Sequence, residues 1–151
     1  MNATMKFSLH LSDTSSEETR SSILAPLVAY NASQAGPSGS RGLAIEVRDA
    51  EGATIGGLWG NSGYDWLFVH LLVVPEPLRG QGVGKQLMSL AETEATTRGC
   101  RGVWLDTFEF QARSFYERIG YECFGELGDY PKGFSRFFMK KVLARSPLAE
   151  N

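Results

Sequence analysis

The run Arg79-Gly80-Gln81-Gly82-Val83-Gly84-Lys85 sets three glycines at alternate positions between two cations, separated by Pro75-Glu76-Pro77-Leu78 from an apolar stretch from Trp66 to Val74. Glycines leave the backbone N–H groups uncovered, and a helix beginning at such a turn aims its unsatisfied amides and the positive end of its dipole at one place. The chemistry on offer is the binding of a phosphate or pyrophosphate, with Arg79 and Lys85 as countercharge. Two familiar phosphate loops do not fit. A P-loop needs Gly where Arg79 stands and Ser or Thr where Gln86 stands. The dinucleotide fingerprint needs a third Gly at Lys85 or Leu87, depending on which glycine pair opens it. A glycine turn that holds no ligand stays open as the alternative.

The elements around this turn are legible from periodicity. Lys6 to Ser12 alternates as a strand, and Ser15-Ser16-Glu17-Glu18 reads as a helix start leading to Ile23, Leu24, Leu27 and Val28 at helical spacing. Ser33 to Ser40 is a loop. Leu43 to Arg48 and Ala53 to Trp59 form a hairpin across Asp49-Ala50-Glu51-Gly52, and Gly60-Asn61-Ser62-Gly63 reads as a second turn. Trp66 to Val74 is apolar enough for a central strand buried on both faces. After the glycines, Val83, Leu87, Leu90, Ala91 and Ala95 mark a helix stopping at Gly99, with Glu94 and Arg98 on its exposed side. Gly102 to Thr107 is the next strand and pairs parallel with the central one. A short helix from Ala112 to Ile119 and strands Tyr121 to Leu127 and Phe134 to Val142 close the fold. Residues 1–143 are expected to form one domain and 144–151 a flexible tail.

Composition narrows the partners. A chain of 151 residues with 42% hydrophobic content buries one good core. Fifteen Lys and Arg against 17 Asp and Glu give a net charge of −2, so no broad basic surface argues for nucleic acid or an anionic membrane. No stretch reads as a signal or membrane span, and a cytoplasmic protein is expected. Cys100 and Cys123 lack metal-ligand spacing, so reduced thiols and no metal site are expected.

Taken together, Arg79-Gly80-Gln81-Gly82-Val83-Gly84 resembles the Arg/Gln-x-x-Gly-x-Gly/Ala motif of the GNAT superfamily of acetyl-CoA-dependent N-acetyltransferases. Phe115-Tyr116-Glu117-Arg118-Ile119-Gly120-Tyr121 is similar to that family's Phe-Tyr-x-x-x-Gly-Phe/Tyr segment. Asp106 to Ala112 and Gly125 to Gly133 resemble a bacterial subgroup. The resemblance is carried by Trp66 to Lys141 and reaches the first third only through strand order. It implies a mixed α/β fold with a strongly twisted six- to seven-stranded sheet, about four flanking helices and a splay between the fourth and fifth strands.

The same resemblance implies roles. Acetyl-CoA would lie in the splay, with the backbone of Leu72, Val73 and Val74 beside the pantetheine arm and Leu72 N–H near the thioester carbonyl. The amides of Arg79, Gly80, Gln81, Gly82, Val83, Gly84 and Lys85 would hold the pyrophosphate, and Gln111, Ala112 and Phe115 would form the other wall. Tyr116 is the candidate acid for the departing thiolate, because a phenol is protonated at neutral pH; the competing reading is a core tyrosine. A substrate amine must lose a proton, and His70 is the first candidate base, placed by strand alternation on the same face as Leu72. A hydrogen-bonded core histidine is its alternative, and Asp106 and then Glu46 follow as bases.

Acceptor recognition is assigned to the aromatic and acidic residues expected around the splay: Tyr30, Trp59, Tyr64, Trp66, Asp106, Phe108 and Phe110, with Tyr130, Asp65, Glu109 and Asp129 behind them. Such a lining suits a cationic small-molecule amine, a polyamine or an aminoglycoside-type antibiotic. A protein lysine or N-terminal amine is the second acceptor class, and a non-catalytic acyl-CoA-binding module the second function class. A homodimer through the C-terminal strands is the expected assembly.

Overall fold

In the computed structural model, which describes residues 3–144, Ser16 has extended backbone angles and its side chain accepts from the N–H of Thr19. That cap starts α1 (Glu17–Ala35), with Glu17 and Glu18 favourably placed at the positive end of the dipole. The helix continues through Ser33-Gln34-Ala35, which the sequence assigned to a loop, and stops where Gly36 reaches φ 78° and donates to Ala32 O. Polar residues alone do not end a helix; the breaker is Gly36-Pro37. The expected strand at Lys6 to Ser12 is absent. Met5, Phe7, Leu9 and Leu11 do alternate, but all are exposed, and alternation makes a strand only when the backbone has a ladder to join. These elements form one compact unit, Met1–Pro37, and Ser38–Asn151 forms a second.

The second unit is built on a six-stranded sheet. β1 (Arg41–Arg48), β2 (Thr54–Gly63) and β3 (Trp66–Val73) run antiparallel; α2 (Val83–Thr97) then leads to β4 (Gly102–Phe108), parallel to β3. The short helix α3 (Arg113–Arg118) and strands β5 (Glu122–Leu127) and β6 (Arg136–Val142) follow, in the spatial order β1-β2-β3-β4-β6-β5. The first hairpin closes because the Asp49 carboxylate accepts from the N–H groups of Glu51 and Ala53. The second closes at Tyr64-Asp65, both at positive φ, as a two-residue hairpin turn requires. Gly60 to Gly63, expected as a turn, is instead the end of β2, because a Cβ on Gly60 would come within 2.3 Å of Phe68 O on β3. This glycine serves close strand approach rather than chain reversal. Among the described residues, no helix is long and apolar enough to cross a membrane.

The core of this unit lies on one face. Leu58, Leu67, Val69, Val103, Leu105, Phe137 and Met139 point there, beneath Met88, Ala91 and Ala95 of α2 and Tyr116 of α3. Burial of each large apolar side chain contributes about 1.5–3 kcal/mol. Arg98, expected on the exposed side of α2, is instead nearly buried: its side chain is 9% exposed. Its guanidinium donates to Glu94 Oε1, to the carbonyls of Arg41 and Gly42 and to Ser62 Oγ at 2.9–3.1 Å, tying α2 to the β1–β2 edge. Replacing it orphans several acceptors together, so Arg98→Ala is expected to lower unfolding free energy by about 3 kcal/mol, read from the denaturant midpoint. Arg98→Lys, which lacks the fork, recovers less than half of that.

Candidate active site

The parallel ladder between β3 and β4 runs from Trp66↔Gly102 to Val69↔Leu105 and stops, although β3 continues to Val73 and β4 to Phe108. The far edge of β4 remains paired with β6 as far as Phe108↔Arg136. An opening therefore forms between His70 and its neighbours on one side and Asp106 on the other, and the inner backbone edge of β3 there has no strand partner. The break coincides with a bulge. Trp59 pairs with Leu71 and Gly60 with Val69, leaving His70 as the extra residue on β3.

The bulge also overturns the expected placement of His70. Strand alternation put it on the face of Leu72, but Leu72 lies opposite core residue Leu58 and packs on the core face. His70 lies with Phe68 on the other face, their rings edge to face at 4.2 Å. One extra residue shifts the parity of everything beyond it.

Past Val73 the chain makes one 3-10 turn (Glu76–Leu78) and reaches the glycines, Gly80 at φ 78° and Gly82 at φ 79°. Among the described residues, the N–H groups from Gly80 to Lys85 donate to no protein acceptor; the next amide, Gln86 N–H, reaches Gly82 O at 3.0 Å. Gly82 occupies the N-cap of α2 and supplies no side chain to cover these donors. A Cβ on Gly80 or Gly82 would meet nothing within 4 Å, so the space before the amides is open. Arg79 and Lys85 flank it, exposed. Gln81 is exposed, its side-chain amide donating to Pro77 O.

Gly84 binds the pieces together. A Cβ there would lie 3.3 Å from Phe115 Cζ and 3.4 Å from Val74 Cγ2, so the first turn of α2, the end of β3 and α3 meet at this residue. Gly84→Val is expected to cost about 1–3 kcal/mol by overpacking, seen as a lower melting temperature. Ala112 and Phe115 are half-buried against the core, and the Gln111 side chain accepts from Phe108 N–H at 2.8 Å, shaping the turn after β4.

Tyr116 is 6% exposed, with its ring edge-on to Phe115 and to Tyr121. Burial, reinforced by the Asp106 charge, pushes its phenol up to about 12. The Tyr121 hydroxyl is buried without a hydrogen-bond partner among the described residues. Burial, then the charges of Glu92 and Tyr116, raise it above the ordinary range.

The other proposed bases are engaged. Asp106 takes both Nε and Nη2 of Arg136, the former at 2.9 Å. Glu46 is held below the usual carboxylate range, first by the Thr54 hydroxyl and then by Arg48. The acids expected to greet a cationic acceptor are likewise committed: Glu109 accepts from Ser135 N–H and Asp129 from Gly133 N–H.

The aromatic residues divide by position. Phe108 and Phe110 stack at 5.3 Å at the end of β4, joined by Tyr130 and Phe134, while the Arg136 guanidinium lies 5.2 Å from the Phe108 ring centre and donates to Tyr130 Oη. Arg136 and Phe134 had no assigned role in the sequence. Trp59, with Leu71, Val73 and Glu46, lines a concavity of about 390 Å³ over β1–β3. Tyr64 and Trp66 stand at the opposite end of β3 from the opening. Tyr30 lies on α1, exposed. Asp65 sits beside Tyr64, its carbonyl accepting from Arg101 N–H.

A parallel strand pair that parts beside a bare amide cradle, with a buried tyrosine on the helix behind it, defines an acyl-transferase type of α/β fold. The chain matches the acetyltransferase (GNAT) family over residues 10–121 and belongs to it. It is 42% identical over 131 residues to acetyltransferase Atu2258 of Agrobacterium fabrum, covering 87% of this chain and 96% of that protein. It is 40% identical over 93 residues to the blasticidin-S acetyltransferase of Streptomyces morookaense, covering 61% and 68%. The crystal structure of an acetyltransferase from Bacillus cereus superposes with a TM-score of 0.78 at 31% identity, covering 89% and 98%. The protein is thus an acyltransferase with the mixed, open sheet the sequence led us to expect, although the described residues form three α-helices rather than about four, and the strands part between the third and fourth rather than the fourth and fifth because the expected first strand is absent.

Proposed function

We propose that the chain is an acetyl-CoA-dependent N-acetyltransferase that acts on a primary amine of a small molecule of antibiotic or polyamine type. The observation that carries the donor is the row of uncovered amides from Gly80 to Lys85, which fits a pyrophosphate in charge and in free space. The blasticidin-S acetyltransferase among its relatives supports the acceptor class. When bound, acetyl-CoA supplies an activated acetyl group as a thioester. Arg79 and Lys85 add charge to the cradle, and Val74, Gly84, Ala112, Gln111 and Phe115 wall the arm. The unpaired inner edge at the end of β3, from Leu72 to Val73 with Val74 just beyond it, presents backbone donors where negative charge develops on the carbonyl oxygen. His70 takes the proton of the amine and Tyr116 donates to the leaving sulfur. Trp59, Phe108 and Phe110 flank the opening as acceptor contacts.

The test is acetyl transfer to blasticidin S, kanamycin and spermidine, with the product located by mass spectrometry. Acetylation on an amine nitrogen of at least one is expected. Acetylation of a protein lysine or N-terminus while all three stay unmodified would overturn the small-molecule reading.

A further inference from the structure

Asn61 belongs to the segment expected to be a turn, yet it is a β2 residue whose side chain meets His70: Oδ1 lies 2.7 Å from Nε2. A carbonyl oxygen only accepts, so Nε2 must carry the hydrogen. In neutral imidazole this leaves Nδ1 as the lone-pair nitrogen, and Nδ1 has no hydrogen-bond partner among the described residues. The ring is also fixed in orientation. Phe68 meets its face or edge at 4.2 Å and is itself stacked on Trp104 of β4 at 4.1 Å. The bulge makes this contact: Asn61 is registered with Phe68, and His70 is the diagonal neighbour that the extra residue brings round to it.

We infer that Asn61 is a positioning residue that holds His70 as the Nε2–H tautomer, so that Nδ1 is the nitrogen that accepts the proton of the acceptor amine. The inference rests on the base role proposed above for His70. The proton balance closes without a co-reactant. The ammonium N–H bond breaks, its proton forms a bond to Nδ1, and the amine keeps the electron pair with which it attacks. The resulting imidazolium retains Nε2–H donated to Asn61 Oδ1, so the same hydrogen bond serves both states. Asn61 is neutral, and it fixes the tautomer without adding the charge a carboxylate would bring.

The other charged groups around His70 are paired. On β4 the nearest is Asp106, taken up by Arg136 of β6; on β1 Glu46 is joined to Arg48. β2 contributes Asn61 and no charge on this face. α2 packs on the opposite face, where Glu94 pairs with Arg98 and Glu92 with Lys141.

Long-range proton–nitrogen NMR of the imidazoles tests this in the free protein, where His70→Ala assigns the signals of the chain's 2 histidines. The expected wild-type spectrum shows His70 with Nε2 protonated and Nδ1 bare. Asn61→Asp should raise its titration midpoint by about one pH unit or more, moving the acidic limb of kcat to higher pH by the same amount. Asn61→Ala should lower kcat about tenfold in the wild type and not at all in His70→Ala, with KM for acetyl-CoA unchanged in both. A bare Nε2 in the wild type, or an unmoved midpoint in Asn61→Asp, overturns the inference while leaving the base role standing. A His70→Ala variant that keeps the wild-type acidic limb removes the base role, and the inference falls with it.

Discussion

Tyr116→Phe is expected to lower kcat about a hundredfold while leaving acetyl-CoA affinity and the fold intact. The magnitude follows from the environment of the phenol. Burial holds Tyr116 protonated throughout the neutral range, so the phenol hydrogen is available there to donate. The same burial makes it a weaker acid than a free phenol, which places its contribution at the low end of the 10²–10⁴ range expected for general acids, as a hydrogen bond to charge growing on sulfur. Among the described residues the hydroxyl has no hydrogen-bond partner, so its removal orphans no group there. The variant should melt at or slightly above the wild-type temperature. Unchanged turnover in Tyr116→Phe would return Tyr116 to the core.

The raised phenol also sets an alkaline limit. Its pKa is about 12 in the folded protein and about 10 in the unfolded chain, so the unfolded state gives up its proton first. The stability linked to the protonated form is complete below pH 10 and is lost between pH 10 and 12, by about 2–3 kcal/mol. Tyr121, raised in the same direction, adds to the loss. Circular dichroism across this range should therefore show Tyr116→Phe unfolding at higher pH than the wild type.

Gly82→Asp should weaken acetyl-CoA binding about a hundredfold with little change in stability. Asp tolerates the left-handed backbone of this position better than most residues, and its Cβ would enter open space. Its carboxylate would accept from the first amides of α2 and complement the dipole, offsetting the backbone cost by about 1 kcal/mol. The protein would in effect fill its own anion site, and the pyrophosphate would face a fixed negative charge where it now meets bare donors. Calorimetric titration with acetyl-CoA reads the loss, and unaltered affinity would show that the turn is not the cradle. Gly84→Val acts oppositely, through Phe115 and Val74, on packing.

The frame of the candidate site was partly legible in the sequence. The glycine turn declares itself because its requirement is local: positive φ at Gly80 and Gly82 and a helix without a side-chain cap are properties of a few consecutive residues. The helix that carries Tyr116 was legible through the spacing of Ala112, Phe115, Tyr116 and Ile119, whereas that spacing alone reads as a core tyrosine and the acid role came only from the family resemblance. What escaped was set by pairing between distant segments. The bulge at His70 depends on which residues of β2 lie opposite, and with it went the parity of Leu72 and the role of Asn61, whose Gly-Asn-Ser-Gly setting reads as a turn. Arg98 looked like half of a surface helix pair, because nothing local shows that the carbonyls of Arg41 and Gly42 end beside it. The acids near the opening looked available for a cation until Arg136 and the 129–135 turn were seen to occupy them. The N-terminal alternation at Met5, Phe7, Leu9 and Leu11 failed for the converse reason, a local pattern without a ladder.

The central claim is that the parted strands and the amide cradle deliver an acetyl group from acetyl-CoA to an amine. It is tested most directly by following release of the CoA thiol from acetyl-CoA with and without an added primary amine. Thiol release is expected to require the amine, to saturate with it and to fall about a hundredfold in Tyr116→Phe. Tight binding of acetyl-CoA with no amine-dependent thiol release from any acceptor would contradict it.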